Sequence, residues 1–177
     1  MEVLRAVCGR LEKAEIPYMI TGSMAANFYA VPRMTRDIDI VLEVKTKDVE
    51  RMLALFRDDF YIDREAMIEA IGKKGMFNII HGKHVVKVDF IVRKDAPYRE
   101  VEFGRRRKIE VDKGSVFVVS PEDLILSKLC WAKESLSELQ LRDVRNLLKV
   151  VKNLDNAYLD RWVRSMGLEG VYEKAKA

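Results

Sequence analysis

Residues 2 to 14 place Val3, Leu4, Val7, Leu11 and Ala14 at helical spacing, and Ile16-Pro17 interrupts the pattern. A short apolar run, Tyr18 to Thr21, stops at Gly22-Ser23, and residues 24 to 30 return to a helical pattern that Pro32 ends. The chain therefore predicts strand, glycine turn, helix. Residues 37 to 44 then alternate, with Ile38, Ile40, Leu42 and Val44 on one face and Asp37, Asp39, Val41 and Glu43 on the other. Thr46 is read as the cap of a helix whose stripe is Val49, Met52, Leu53 and Phe56, and residues 65 to 71 predict another helix. Residues 76 to 80 and 84 to 92 predict a hairpin around Gly82, and Asp89 falls on the strand face opposite Val86, Val88, Phe90 and Val92.

Residues 108 to 111 and 115 to 119 predict two short strands at a sheet edge, joined through Asp112-Lys113-Gly114. Ser120-Pro121-Glu122-Asp123 is a helix start, with serine as cap, proline in the first position and carboxylates at the positive end of the dipole. The helix runs to about 134. Ser137 to Gln140 fits the capping-box pattern and opens a helix with the stripe Leu139, Val144, Leu147, Leu148 and Val151. A last helix covers residues 157 to 166. The pattern predicts an α/β (α+β) fold, a mixed β-sheet flanked by helices. Residues 1–119 form the core, and 120–177 form a C-terminal helical subdomain packed on it.

Composition changes this picture little. With 177 residues, 49% hydrophobic and 34% charged, the chain suits one substantial core, and no apolar run approaches the ~20 residues needed to span a bilayer. The first residues lack the layout of a secretory signal, so a cytoplasmic protein is expected. Cys8 and Cys130 lie in helical apolar patterns and are read as buried thiols. A net charge of +4 does not announce a nucleic-acid binder. The dense cluster Arg105-Arg106-Arg107-Lys108 is read as a solvated face before a phosphate-contacting edge. His81 and His84 are read as turn residues, and Trp131 and Trp162 as helix-packing residues rather than base-stacking platforms.

Asp37 and Asp39 project from one strand face, roughly 6 to 7 Å apart at the backbone. Two such charges about 5 Å apart repel by roughly 3 kcal/mol at an effective dielectric near 20, which a divalent cation would reverse. Asp89 on another strand can complete an oxygen set that favours Mg²⁺ or Mn²⁺ over Zn²⁺. The Gly22-Ser23 turn lets backbone N–H groups approach a phosphate, with the Ser23 hydroxyl as a further donor.

The order Gly22-Ser23, Arg36-Asp37-Ile38-Asp39, Val88-Asp89-Phe90 resembles the DNA-polymerase-beta-like nucleotidyltransferase superfamily. Ser120-Pro121-Glu122-Asp123-Leu124 with Lys128 and Arg142-Asp143-Val144 is similar to its small AbiEii-type, toxin-related branch. The resemblance implies a nucleotidyltransferase fold and a Mg²⁺-dependent transfer of a nucleoside monophosphate from an NTP to an acceptor hydroxyl, with pyrophosphate released. It implies that Asp37, Asp39 and Asp89 are the catalytic and metal-holding residues, and that Gly22, Ser23 and Lys128 bind the nucleotide. Acceptors in RNA, protein or a small molecule fit, the toxin-like tail favours a macromolecule, and the resemblance leaves room for an antitoxin partner. Arg33 and Arg36 flank the acidic strand without an assigned role, and Arg142 and Asp143 are read as an exposed ion-pairing pair as readily as site residues. The alternatives are a non-catalytic nucleotide-binding regulatory module with the same fold and a metal-dependent phosphohydrolase.

Overall fold

A computed structural model describes residues 1–35, 37–112 and 114–176; Arg36 and Lys113, named above, lie outside the described residues. The elements are α1 (Glu2–Lys13), β1 (Tyr18–Thr21), α2 (Gly22–Tyr29), β2 (Asp37–Leu42), α3 (Val49–Phe56), β3 (Phe60–Ile62), α4 (Arg64–Lys73), β4 (Met76–His81) and β5 (Lys87–Val92). They continue with α5 (Pro97–Gly104), β6 (Arg107–Val111), β7 (Gly114–Val118), α6 (Pro121–Ser135), α7 (Glu138–Val150), α8 (Asn156–Ser165) and α9 (Glu169–Lys176). The strands form a seven-stranded sheet in the order β3-β4-β5-β2-β1-β7-β6. β2 pairs parallel with β5 and β1 parallel with β7, and the other neighbours are antiparallel, so the sheet is mixed as anticipated.

The alternation of β2 and β5 decides which face of the sheet is core. Ile38, Ile40, Leu42, Val88, Phe90 and Val92 are all buried. Phe56 of α3 lies 5.7 Å from Phe90 and 5.5 Å from Phe60, ring centre to ring centre, so α3 covers this face. Arg10 of α1 reaches across it to pair with Asp59 through two 2.6 Å hydrogen bonds. Elements the sequence pattern passed over are short: β3 is an edge strand of three residues, α5 opens on Pro97, and α9 follows Gly167. Thr46 does not cap α3; it begins a 3-10 turn, Thr46–Asp48, in which the Asp48 carboxylate accepts from the Lys45 backbone N–H. Among the described residues, no helix is long and apolar enough to cross a membrane. Both cysteines are free thiols, and burial pushes Cys8 up to about 12.

The helices after β7 share one continuous core with the sheet. α6 is buried nearly all round by Leu124, Ile125, Leu126 and Leu129. Its first turn does more than cap. Ser120 accepts from the Asp123 backbone N–H and donates to the Asp123 carboxylate at 2.6 Å. Asp123, fully buried, also accepts from the hydroxyls of Tyr158 (2.6 Å) and Tyr98 (3.2 Å) and from Arg105 Nε (3.1 Å). Buried Glu122 accepts from Arg105 and Arg107 and from the Asp155 backbone N–H.

The arginine cluster is therefore a solvated face only in part: Arg107 and Lys108 are exposed, while Arg105 and Arg106 are half-buried. Arg105 and Arg107 are held by the α6 carboxylates, and Arg106 lies over the rings of Phe103 and Phe117. Removing Asp123 strands the three hydroxyls of Ser120, Tyr98 and Tyr158 that converge on it and leaves Arg105 with Glu122 alone. Asp123→Ala should cost about 3–5 kcal/mol, read as a lowered midpoint of urea unfolding, whereas Lys108→Ala on the same cluster should leave that midpoint unchanged.

Candidate functional site

The parallel pairing of β2 with β5 sets Asp39 opposite Asp89 and Asp37 opposite Lys87. Thr21 stands opposite Asp39 on β1, and Asn78 opposite Asp89 on β4. A polar row, Thr21, Asp39, Asp89, Asn78, thus crosses the middle of the sheet on the face away from Phe90. The next row on that face, Val41, Ile91 and Met76, is apolar. α2 begins beside the acidic row. Gly22 has φ +64°, and a Cβ there would overlap Asp39 Oδ2 and stand 2.8 Å from its Cγ. The glycine is required both by the backbone turn and by the close approach of the carboxylate.

A cleft gathers Gly22, Ser23, Asp39, Asp89 and Lys128, five of the six anticipated site residues, together with Ser127, Trp131 and Gln140. Asp37 is the exception. It is exposed at the start of β2, outside the cleft lining, and its carboxylate lies 3.9 Å from Lys87 Nζ. Lys87 pairs at 2.8 Å with buried Asp89. Burial, together with the charges of Asp89 and Asp37, raises the Asp39 carboxyl above its usual range. Hydrogen bonding to Asp89 raises the Lys87 ammonium. The carboxylates offer oxygen donors only, the chemistry that suits Mg²⁺ or Mn²⁺. Among the described residues, however, no group of three His, Cys, Asp or Glu side chains is arranged to hold a metal, and the Lys87 ammonium stands among the aspartates.

On the other side of the Gly22-Ser23 turn lies a buried ionic hub. Lys128, 3% exposed, donates to Asp143 Oδ2 at 2.7 Å and to Gln140 Oε1 at 3.1 Å. Arg33 donates to both oxygens of Asp143, at 3.1 and 3.2 Å, and its guanidinium also bonds the Ser23 hydroxyl. Burial lowers Lys128 against the pull of Asp143. At Asp143 burial acts upward, but the hydrogen bonds from Arg33 and Lys128 outweigh it and hold the carboxyl low. Asp143 is thus a buried anchor for two cations and not an exposed ion-pairing residue. Arg142 beside it is exposed.

The hub also explains two departures on α7. Ser137 makes no side-chain cap, and Gln140, the would-be reciprocal partner in the capping box, is turned to Lys128 instead. The buried stripe is Leu141, Asp143, Val144 and Leu147, and Leu139 is exposed. An ionisable residue at that spacing is the signal that could have marked Asp143. Trp162 packs against Tyr98 at 4.7 Å, but Trp131 is 63% exposed and lines the cleft, against the expectation that both pack between helices. His84 lies in the turn, but His81 ends β4 opposite Phe60, its ring Nδ1 accepting from the Lys83 and His84 backbone N–H groups.

A family model described as "Nucleotidyl transferase of unknown function (DUF2204)" matches residues 1–167. The chain belongs to this family. A search of curated proteins found no match. Among solved structures, it is similar to an antigenic nucleotidyltransferase-like protein from Paracoccidioides brasiliensis, with TM-score 0.61, 18% identity, and coverage of 84% of this chain and 74% of that one. It is also similar to the lincosamide antibiotic adenylyltransferase LnuA in its lincomycin-bound form, with TM-score 0.57, 14% identity, and coverage of 81% and 93%. A third is ANT(2")-Ia in complex with adenylyl-2"-tobramycin, with TM-score 0.56, 14% identity, and coverage of 99% and 94%. These likenesses establish the nucleotidyltransferase fold.

Because Gly22 combines a positive φ with contact to Asp39, Gly22→Ala should destabilise the protein by about 1–3 kcal/mol, measured by denaturant unfolding. Gly104→Ala, where a Cβ meets nothing within 4 Å, serves as the neutral control.

Proposed function

We propose that the chain transfers a nucleoside monophosphate from an NTP to an acceptor hydroxyl, using Asp37, Asp39 and Asp89 as the acidic set and the Gly22-Ser23 turn with Lys128 as the triphosphate cradle. The observation that carries this reading is the side-by-side register of Asp39 and Asp89 next to Gly22. Ser23 and the backbone at the start of α2 supply donors for phosphate oxygens. The Asp143 hub holds Lys128 and Arg33 in place as positive charge beside that turn.

The acceptor oxygen bonds to the α-phosphorus as the bridge to the β-phosphate breaks. Pyrophosphate leaves, and the hydroxyl proton passes to Asp89. Asp37, Asp39 and Asp89 would hold divalent Mg²⁺ or Mn²⁺, which when bound neutralises charge on the triphosphate. In this reading residues 120–177 act as a helical subdomain completing a site laid down by 1–119, since Lys128, Gln140 and Asp143 all come from it. The finer placement in the AbiEii-type, toxin-related branch rests on Ser120 to Leu124, Lys128 and Asp143. It favours a macromolecular acceptor, and the antibiotic-modifying neighbours are the ground for including small hydroxylated molecules.

Incubating the protein with each α-labelled NTP and Mg²⁺ in cell extract, then separating protein, RNA and small molecules, should show label on one acceptor class. Label released only as free nucleotide would indicate a phosphohydrolase instead. Asp39→Asn should lower transfer by at least about 100-fold while the unfolding midpoint is kept.

Lys87 gives a second test of the acidic set. Its ammonium occupies charge space that a divalent cation would share, so Lys87→Met should tighten Mn²⁺ binding by roughly three- to tenfold, measured by calorimetry. Weaker or unchanged binding would count against Asp89 as part of the metal-holding set.

A further inference from the structure

Two exposed apolar side chains stand at the cleft with no packing role to explain them. Trp131 of α6 is 63% exposed and Met76 of β4 is 60% exposed, and both line the cleft that contains Asp39, Asp89 and Lys128. Both also line a second hollow that shares Thr21, Ile91 and Ser127 with the first and extends over Val41 toward Arg93 and Arg99. The two hollows therefore adjoin along a groove, with the indole and the thioether lining both.

The position of Trp131 follows from helix geometry. Leu124, Ser127, Lys128 and Trp131 are spaced i, i+3, i+4, i+7 and all line the cleft, so one face of α6 carries them in sequence. Lys128 and Trp131 are about 4.5 Å apart along the axis. The ammonium serves the phosphate end beside Gly22-Ser23, and the indole lies one turn further on. Beneath it the sheet changes from the acidic row to the apolar row Val41, Ile91, Met76. A ligand with charge at one end and a flat, weakly polar ring at the other matches this gradient. A polarisable thioether adds a favourable edge for an aromatic ring.

We propose that Trp131 and Met76 form the nucleobase subsite, with the base stacked on the indole over Ile91. The assignment rests on the nucleotidyl-transfer reading above and goes beyond it by naming where the base sits. Stacking uses the π face that every base has, and a purine offers the larger one, so the site takes purine nucleoside triphosphates in preference to pyrimidine ones.

Calorimetric titration of the full chain with ATP, GTP, CTP, UTP and inorganic tripolyphosphate, each with Mg²⁺, tests the assignment. Trp131→Ala should weaken ATP and GTP binding by roughly tenfold and leave tripolyphosphate binding unchanged, and Trp131→Phe should recover most of the loss. ATP should also quench the fluorescence of the intact protein, and should fail to do so in Trp131→Ala, where Trp162 is the remaining indole. The exposure of Trp131 makes the truncation tolerable to the fold. Unchanged ATP affinity in Trp131→Ala would overturn the assignment, whether the variant instead loses transfer to the acceptor or changes its oligomeric state. Equal losses for ATP and tripolyphosphate would overturn it as well. An intact protein that binds no NTP would overturn the nucleotidyl-transfer reading itself, a failure distinguishable from the others.

Discussion

The register between β2 and β5 is the constraint on which core and cleft both depend. Pairing Asp39 with Asp89 automatically pairs Ile40 with Phe90 and Ile38 with Val88. A slip of one residue along either strand would turn carboxylates into the α3-covered core and apolar side chains into the cleft. The apolar residues therefore fix the position of the acidic ones. The hydrophobic face holds two like charges side by side in the middle of a sheet, where burial and mutual repulsion raise the Asp39 carboxyl. Lys87, brought opposite Asp37 by the same register, offsets part of that repulsion.

The helical half solves a different problem with similar chemistry. Asp123, Glu122 and Glu102 are buried carboxylates, yet each is matched by arginine donors, joined by hydroxyls at Asp123 and Glu102 and by the Asp155 backbone N–H at Glu122. Arg99 and Ser127 satisfy Glu102, and the tyrosines with Arg105 satisfy Asp123. Buried charges of this kind give little net stability over apolar substitutes, but they tolerate only one arrangement of their partners. Here that arrangement fixes the roll of α6. Because Ser127, Lys128 and Trp131 ride on the same helix, the structural carboxylates at its start govern what its other face presents to the cleft.

Legibility from sequence tracked how local each signal was. β2 and β5 announce themselves by alternation, and the Ser120-Pro121 start of α6 by its cap, so these emerged close to their observed bounds. Three elements of three to eight residues, β3, α5 and α9, carry too few periods to stand out and are held by packing. The long-range polar contacts were the least legible. The arginine run looks solvated until Glu122 and Asp123, 15 to 18 positions away, are known to be its partners. Asp143 looks like half of a surface pair until α7 is rolled so that it meets Lys128 and Arg33. Trp131 looks like core because tryptophan on a helix usually is, and only the fold shows it facing the cleft.

The division between sheet and helices also bears on how one fold serves different substrates. Gly22, Asp39 and Asp89 sit on the first turn of α2, β2 and β5, where register and close contact leave almost no freedom. A shift of one side chain there disturbs the core as well. The groove beyond Trp131 is bordered instead by Arg93, Lys94, Arg99 and Met76, at strand ends and on the short helix α5. Arg93 and Arg99 are tied to Glu43 and buried Glu102, but Lys94 and Met76 can change identity without altering the pairing that holds the acidic row. On the nucleotidyl-transfer reading proposed above, the transfer chemistry would fall in the constrained part and selectivity for base and acceptor in the freer part. That partition follows from packing alone, since the same hydrophobic register that makes the acidic row immovable places no demand on the groove's outer rim.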